Sequence, residues 1–128
     1  MADTHAFETT FATLRAMLKP YAGRLEVQAD QAGLYTLALP DVMDRAGRPL
    51  FVAGVRKGKA YVSYHLMAVY AFPRLLNDLS PGLRKRMQGK ACFNFTAIDP
   101  LHVKELKALT KRSVEGFNTD AVNKMLGR

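Results

Sequence analysis

Two alternating stretches carry the side chains best suited to chemistry. In Ala60–Leu66 an extended backbone puts Tyr61, Ser63 and His65 on one face; in Ala91–Thr96 it puts Cys92, Asn94 and Thr96 on one face and Phe93 and Phe95 on the other. With both phenylalanines turned toward helices, the polar set lies on the opposite face and lines a groove. Arg56, Lys59 and Lys90 stand at its rim. Such a groove suits a small anionic or aromatic ligand, since Tyr and His supply flat contact area and the cations hold a carboxylate or phosphate. The same alternation also describes the plain solvent-facing side of an antiparallel sheet.

Cys92 and His65 are the minimum for a thiolate nucleophile, which requires an imidazole within hydrogen-bond reach of the sulfur. Nothing in their spacing brings them together, and a small half-buried cysteine is the alternative. His5, His65 and His102 are too scattered for a metal site, and His102 falls at the edge of an apolar helical arc, as a packed structural histidine would. The chain has no GxxxxGK[ST] or GxGxxG phosphate loop, no HExxH and no GxSxG. A non-enzymatic binding domain without cofactor or metal is the reading that follows.

The net charge of +8 is unevenly spread. Residues 1–44 hold three basic and six acidic side chains, whereas residues 45–112 hold fourteen basic and three acidic. That asymmetry favours an anionic partner, either a small ligand or an acidic protein. Nucleic acid is a second candidate. Arg84, Lys85, Arg86 and Lys90, the helical row Lys104, Lys107 and Lys111, and Arg56, Lys57 and Lys59 could together track a phosphate backbone. With no helix-turn-helix, zinc-finger or RNP-like pattern, such binding would be sequence-tolerant and salt-sensitive.

The elements that must position these residues follow from periodicity. Phe7, Phe11, Leu14 and Leu18 share one side of a first helix, capped by Asp3 or Thr4 and ended by Pro20 and Gly23. Strand-like segments follow at Arg24–Gln28 and Leu34–Leu39, then a loop at Pro40–Pro49. Leu50–Val55 and Ala60–Leu66 flank Arg56–Lys59, a tight hairpin with Gly58 at positive φ. Phe72–Asn77 suggests a short helix, and Ser80-Pro81 caps another over Leu83–Gln88 that Gly89 stops. Asp99-Pro100 opens a long helix to about Phe117, with Val103, Leu106, Leu109, Thr110, Ser113 and Phe117 on its apolar arc. Short connections favour antiparallel pairing. The expected fold is α+β: an antiparallel sheet of about five strands with the N- and C-terminal helices on one face.

At 128 residues the chain fits a single domain, and its lone cysteine excludes an intramolecular disulfide. No apolar run is long enough for a membrane helix, and the N-terminus lacks a basic and apolar leader, so a cytoplasmic protein with no membrane partner is expected. Met67–Tyr70 is an apolar run that could form a homodimer contact.

Leu50–Val55, Ala60–His65, Gly89–Phe95 and Asp99-Pro-Leu101 followed by Glu105–Leu109, read as a block, resemble the YdhG-like domain-of-unknown-function family. The likeness spans roughly residues 7–117. It implies a small α+β fold and a cytoplasmic bacterial protein, and brings no catalytic residues with it. Some members of that family are described as frataxin-like iron chaperones. Such a role wants a carboxylate-rich surface, and the acidic residues here form no such cluster.

Overall fold

A computed structural model describes residues 4–89, 91–117 and 122–124. Along the chain run α1 (Thr4–Leu18), a 3₁₀ turn (Lys19–Tyr21), β1 (Glu26–Gln31), β2 (Leu34–Met43), β3 (Pro49–Lys57), β4 (Val62–Leu66), α2 (Met67–Ala71), a second 3₁₀ turn (Pro73–Leu76), α3 (Pro81–Arg84), β5 (Met87–Gln88), β6 (Cys92–Phe95) and α4 (Pro100–Gly116). The strands form one antiparallel sheet in the order β1-β2-β3-β4-β6-β5. The fold is therefore α+β, with six strands rather than about five.

The registers define an apolar row across the sheet: Tyr35, Val55, Tyr64, Phe93 and Met87 lie opposite one another on successive strands. The first four are buried and Met87 is half-buried. Both long helices lie on this face. The Arg15 guanidinium of α1 sits 4.9 Å over the Tyr35 ring, and Thr110 of α4 shares a 2.6 Å hydrogen bond with the Tyr64 hydroxyl. Phe7, Leu14 and Leu18 of α1 and Leu106, Leu109 and Val114 of α4 join Phe93 and Phe95 in one core. Every large apolar group expected on the long-helix arcs packs there, with Phe11 and Val103 half-buried at the margin.

Proline and capping residues set the ends of the helices. Asp99 accepts from the Leu101 N–H at 2.8 Å, satisfying a donor with no partner inside α4. Ser80 caps α3 through the Leu83 N–H, and its own N–H and hydroxyl both go to the Glu105 carboxylate, tying α3 to α4. These two bonds hold the Glu105 carboxyl below its ordinary pKa.

Four local expectations are corrected. Gly58 does not have positive φ; among the described residues the glycines that do are Gly33, Gly47 and Gly89. The β3–β4 connection is four residues long, Gly58–Tyr61, closed by the Gly58 N–H on the Tyr61 carbonyl, and a loop of that length needs no left-handed residue there. The expected helix over Leu83–Gln88 stops at Arg84, because Asn94 N–H takes the Arg86 carbonyl and Met87 and Gln88 pair with Phe93 and Cys92. The loop expected at Pro40–Pro49 shrinks to residues 44–48. There Asp44 accepts from the Ala46 and Arg48 N–H groups, which, Arg48 foremost, lower its pKa. Finally, Met67–Tyr70 is no exposed apolar run: Ala68 and Val69 are buried in α2, Met67 is half-buried, and Tyr70 alone of the four is exposed.

Candidate functional site

On the face away from the helices, pairing places Arg56, Ser63 and Asn94 in one row and Gly54, His65 and Cys92 in the next. Four of the eight residues singled out from the sequence, Ser63, His65, Cys92 and Asn94, thus form a compact quartet, with Arg56 exposed beside Ser63. The reason is the two-residue period: Val62, Tyr64, Leu66, Phe93 and Phe95 are all buried on the other side, which fixes where their neighbours go.

Within the quartet Ser63 donates to Asn94 Oδ1 at 2.7 Å, and the Cys92 thiol donates to the same oxygen at 3.4 Å. The sulfur also lies 3.7 Å from His65 Nε2. The structure therefore brings together the cysteine and histidine whose meeting the spacing left open. Their electrostatics oppose nucleophilic catalysis. Burial lowers the His65 pKa from its ordinary 6.5, with the Arg56 cation adding to the effect, and burial raises that of Cys92 above its ordinary 9.0. Near neutral pH the pair is a thiol beside a neutral imidazole, and the thiol proton rests on an amide oxygen that cannot act as a base. Iodoacetamide should consequently modify Cys92 more slowly than an unhindered cysteine at pH 7, with acceleration only above about pH 9. Rapid alkylation well below pH 8 would establish a thiolate and restore a catalytic role.

Two candidates are placed differently. Tyr61 is in the β3–β4 loop rather than on β4, 49% exposed, and Lys59 is exposed in the same loop. Lys90 lies outside the described residues. Thr96 follows the end of β6 and is exposed. His102 packs near the Phe95 ring, 6.3 Å between centroids, and its Nε2 would stand 3.2 Å from a side chain placed on Gly82. Among the described residues no three His, Cys, Asp or Glu side chains are grouped to hold a metal ion. No helix among them is long and apolar enough to cross a membrane.

Phe51, Thr36 and Gly54 complete the site and were not singled out from the sequence. Phe51 meets His65 edge to face at 6.3 Å, and a Cβ on Gly54 would come within 2.9 Å of both the Phe51 ring and Thr36 Cγ2. The glycine is what lets the aromatic ring lie down on the sheet beside His65. Its signal in the sequence is a glycine inside a strand, which marks close approach. Phe51 also borders a surface groove of about 600 Å³ lined by Glu26, Gln28, Asp44 and Arg48.

Among the described residues the basic side chains of the sheet and of α4 do not converge on one surface. Arg56 projects from the open face of the sheet, whereas Lys104, Lys107 and Lys111 are exposed on α4, which covers the opposite face. No family model, curated protein or solved structure matches this chain.

Proposed function

We propose that the protein is a non-enzymatic binding domain whose open sheet face takes a small anionic ligand with a flat apolar part. The observation that supports this most is the quartet's hydrogen bonding. Asn94 Oδ1 already accepts from both Ser63 and Cys92, so the capacity left on that amide is its N–H donors, beside the Arg56 guanidinium. A surface with donors in excess selects a carboxylate or phosphate, and the Phe51 ring, which His65 meets edge to face, offers an apolar wall next to it. The thiol and neutral imidazole supply no activated nucleophile, which supports binding over catalysis. A nucleic-acid reading calls for a continuous cationic track. The separation of Arg56 from the α4 lysines by the thickness of the sheet favours a local anion site instead.

Phenyl phosphate is a suitable probe, titrated against the folded protein by calorimetry. Arg56→Glu is expected to weaken it roughly 10- to 100-fold, the equivalent of a lost charge-assisted hydrogen bond of about 1.5–3 kcal/mol, with the thermal transition unchanged. Binding of benzenesulfonate, whose charge does not change near neutral pH, should tighten as pH falls through the lowered pKa of His65, because the imidazolium that forms adds a cation beside the anion. Equal affinity for the wild type and Arg56→Glu would remove this face from the reading.

A further inference from the structure

The buried row Tyr35, Val55, Tyr64, Phe93 and Met87 ends at the edge of the sheet, where Met87 is half-buried on β5, a strand of two residues. Beyond it an apolar hollow of about 500 Å³ is lined by Val69, Tyr70, Pro73, Leu76 and Met87, with Gly89 at its end. Tyr70 is 58% exposed there. The wall of this hollow is held in place: Arg84 donates to the Leu76 and Leu79 carbonyls, fixing the 3₁₀ turn against α3. Arg74, Lys85 and Arg86 are exposed, next in sequence or nearly so to the lining residues Pro73 and Met87.

The opposite edge is built differently. β1 carries Glu26 and Asp30, is interrupted by an irregularity between Val27 and Ala29, and is pinned to α1 by the Arg15–Asp30 ion pair at 2.8 Å. Bulges and charges of that kind discourage further strand pairing. Along the segment that forms the hollow and β5, Arg74, Lys85 and Arg86 outnumber the one exposed acid, Asp78.

We infer that the β5 edge docks an extended acidic segment of a partner protein, which adds a strand beside Met87 and seats an apolar side chain in the hollow lined by Val69, Tyr70, Pro73 and Leu76. Strand addition supplies main-chain bonds, and the anchor continues the interrupted apolar row. The charge of the partner follows from the cationic excess of the exposed Arg74, Lys85 and Arg86, close in sequence to Pro73 and Met87, which favours glutamate and aspartate. A second copy of this chain is a poor occupant, since a twofold contact through β5 would bring the two cationic rims together.

The probe is a fluorescein-labelled dodecapeptide alternating Glu with Val and Phe, read by fluorescence anisotropy on the full chain, with the same peptide carrying Lys for Glu as control. The acidic peptide is expected to bind about tenfold more tightly than the basic one. Its affinity should fall about tenfold in Arg74→Glu/Arg86→Glu, whose substitutions are on the surface, and should weaken as salt rises. Met87→Asp, checked for folding by circular dichroism, should abolish binding. Equal affinity for the two peptides, or binding unchanged in the double variant, would overturn the proposal. So would a concentration-dependent dimer in sedimentation that Met87→Asp disperses, because the edge would then belong to a second copy.

Discussion

Phe93→Ala is expected to lower the unfolding free energy by about 3–5 kcal/mol, a large part of the roughly 5–15 kcal/mol that holds a domain of this size together. Phe93 has no exposed surface and sits between Tyr64 on β4 and Met87 on β5. Its removal leaves a cavity in the middle of the apolar row, and the two-residue β5 depends on β6 for its pairing. The effect should reach the other side of the sheet, because Cys92 and Asn94 flank Phe93 and are aimed by its burial. Phe93→Leu, which keeps most of the volume, should cost well under half as much. Urea unfolding of the three proteins decides the matter. A loss below about 1 kcal/mol for Phe93→Ala would mean that the row is not the core it is described as.

Thr110→Val is expected to cost about 1–3 kcal/mol even though it preserves shape. Tyr64 is fully buried, and its hydroxyl meets Thr110 Oγ1 at 2.6 Å, the bond that joins β4 to α4. Valine leaves the phenol hydroxyl in the core without that partner. Tyr64→Phe/Thr110→Val removes both polar groups and should recover most of the stability, so the double-mutant cycle isolates the bond. Burial pushes the Tyr64 pKa far above its ordinary 10.0, the bond to Thr110 lowering it only in part. A group whose pKa is raised by folding contributes stability that is complete below its unfolded pKa, and here that stability should decline as pH rises beyond about 10. Tyr64→Phe should flatten the decline. A neutral Thr110→Val, or a double variant no better than the single one, would show that the hydrogen bond does not couple strand to helix.

Much of the architecture was legible because it rests on local rules. The spacing of Phe7, Leu14 and Leu18 determined α1, and Asp99-Pro100 with Leu106, Leu109 and Thr110 determined α4 and the side it buries. Alternation over Ala60–Leu66 and Ala91–Thr96, of which Val62–Leu66 and Cys92–Phe95 form strands, assigned Ser63, His65, Cys92 and Asn94 to the face away from the helices, since burying one set of a strand's side chains commits the other. Where the local signal was ambiguous, long-range pairing decided. Met87 and Gln88 follow a capped helical turn and read as its continuation, yet hydrogen bonds to β6 draw them into the sheet. Gly58 carries a turn residue's identity, but its conformation depends on the register of Lys57 with Val62, which sets the loop length.

The site divides along the same line. The sequence by itself determined that Ser63 shares a face with His65 and Cys92 with Asn94, because that depends only on parity along a strand, whereas Tyr61 and Thr96, assigned to the same faces, fall outside β4 and β6. Tertiary structure alone decided that β4 and β6 are neighbours, 31 residues separating Ser63 from Asn94, and so that a thiol, an imidazole, a hydroxyl and an amide meet. It also placed the Phe51 ring over Gly54 and put Arg56 and the α4 lysines on opposite sides of the sheet. Periodicity is a property of consecutive residues, whereas adjacency between strands and the facing of separate helices are chosen by how all the apolar faces close together into one core.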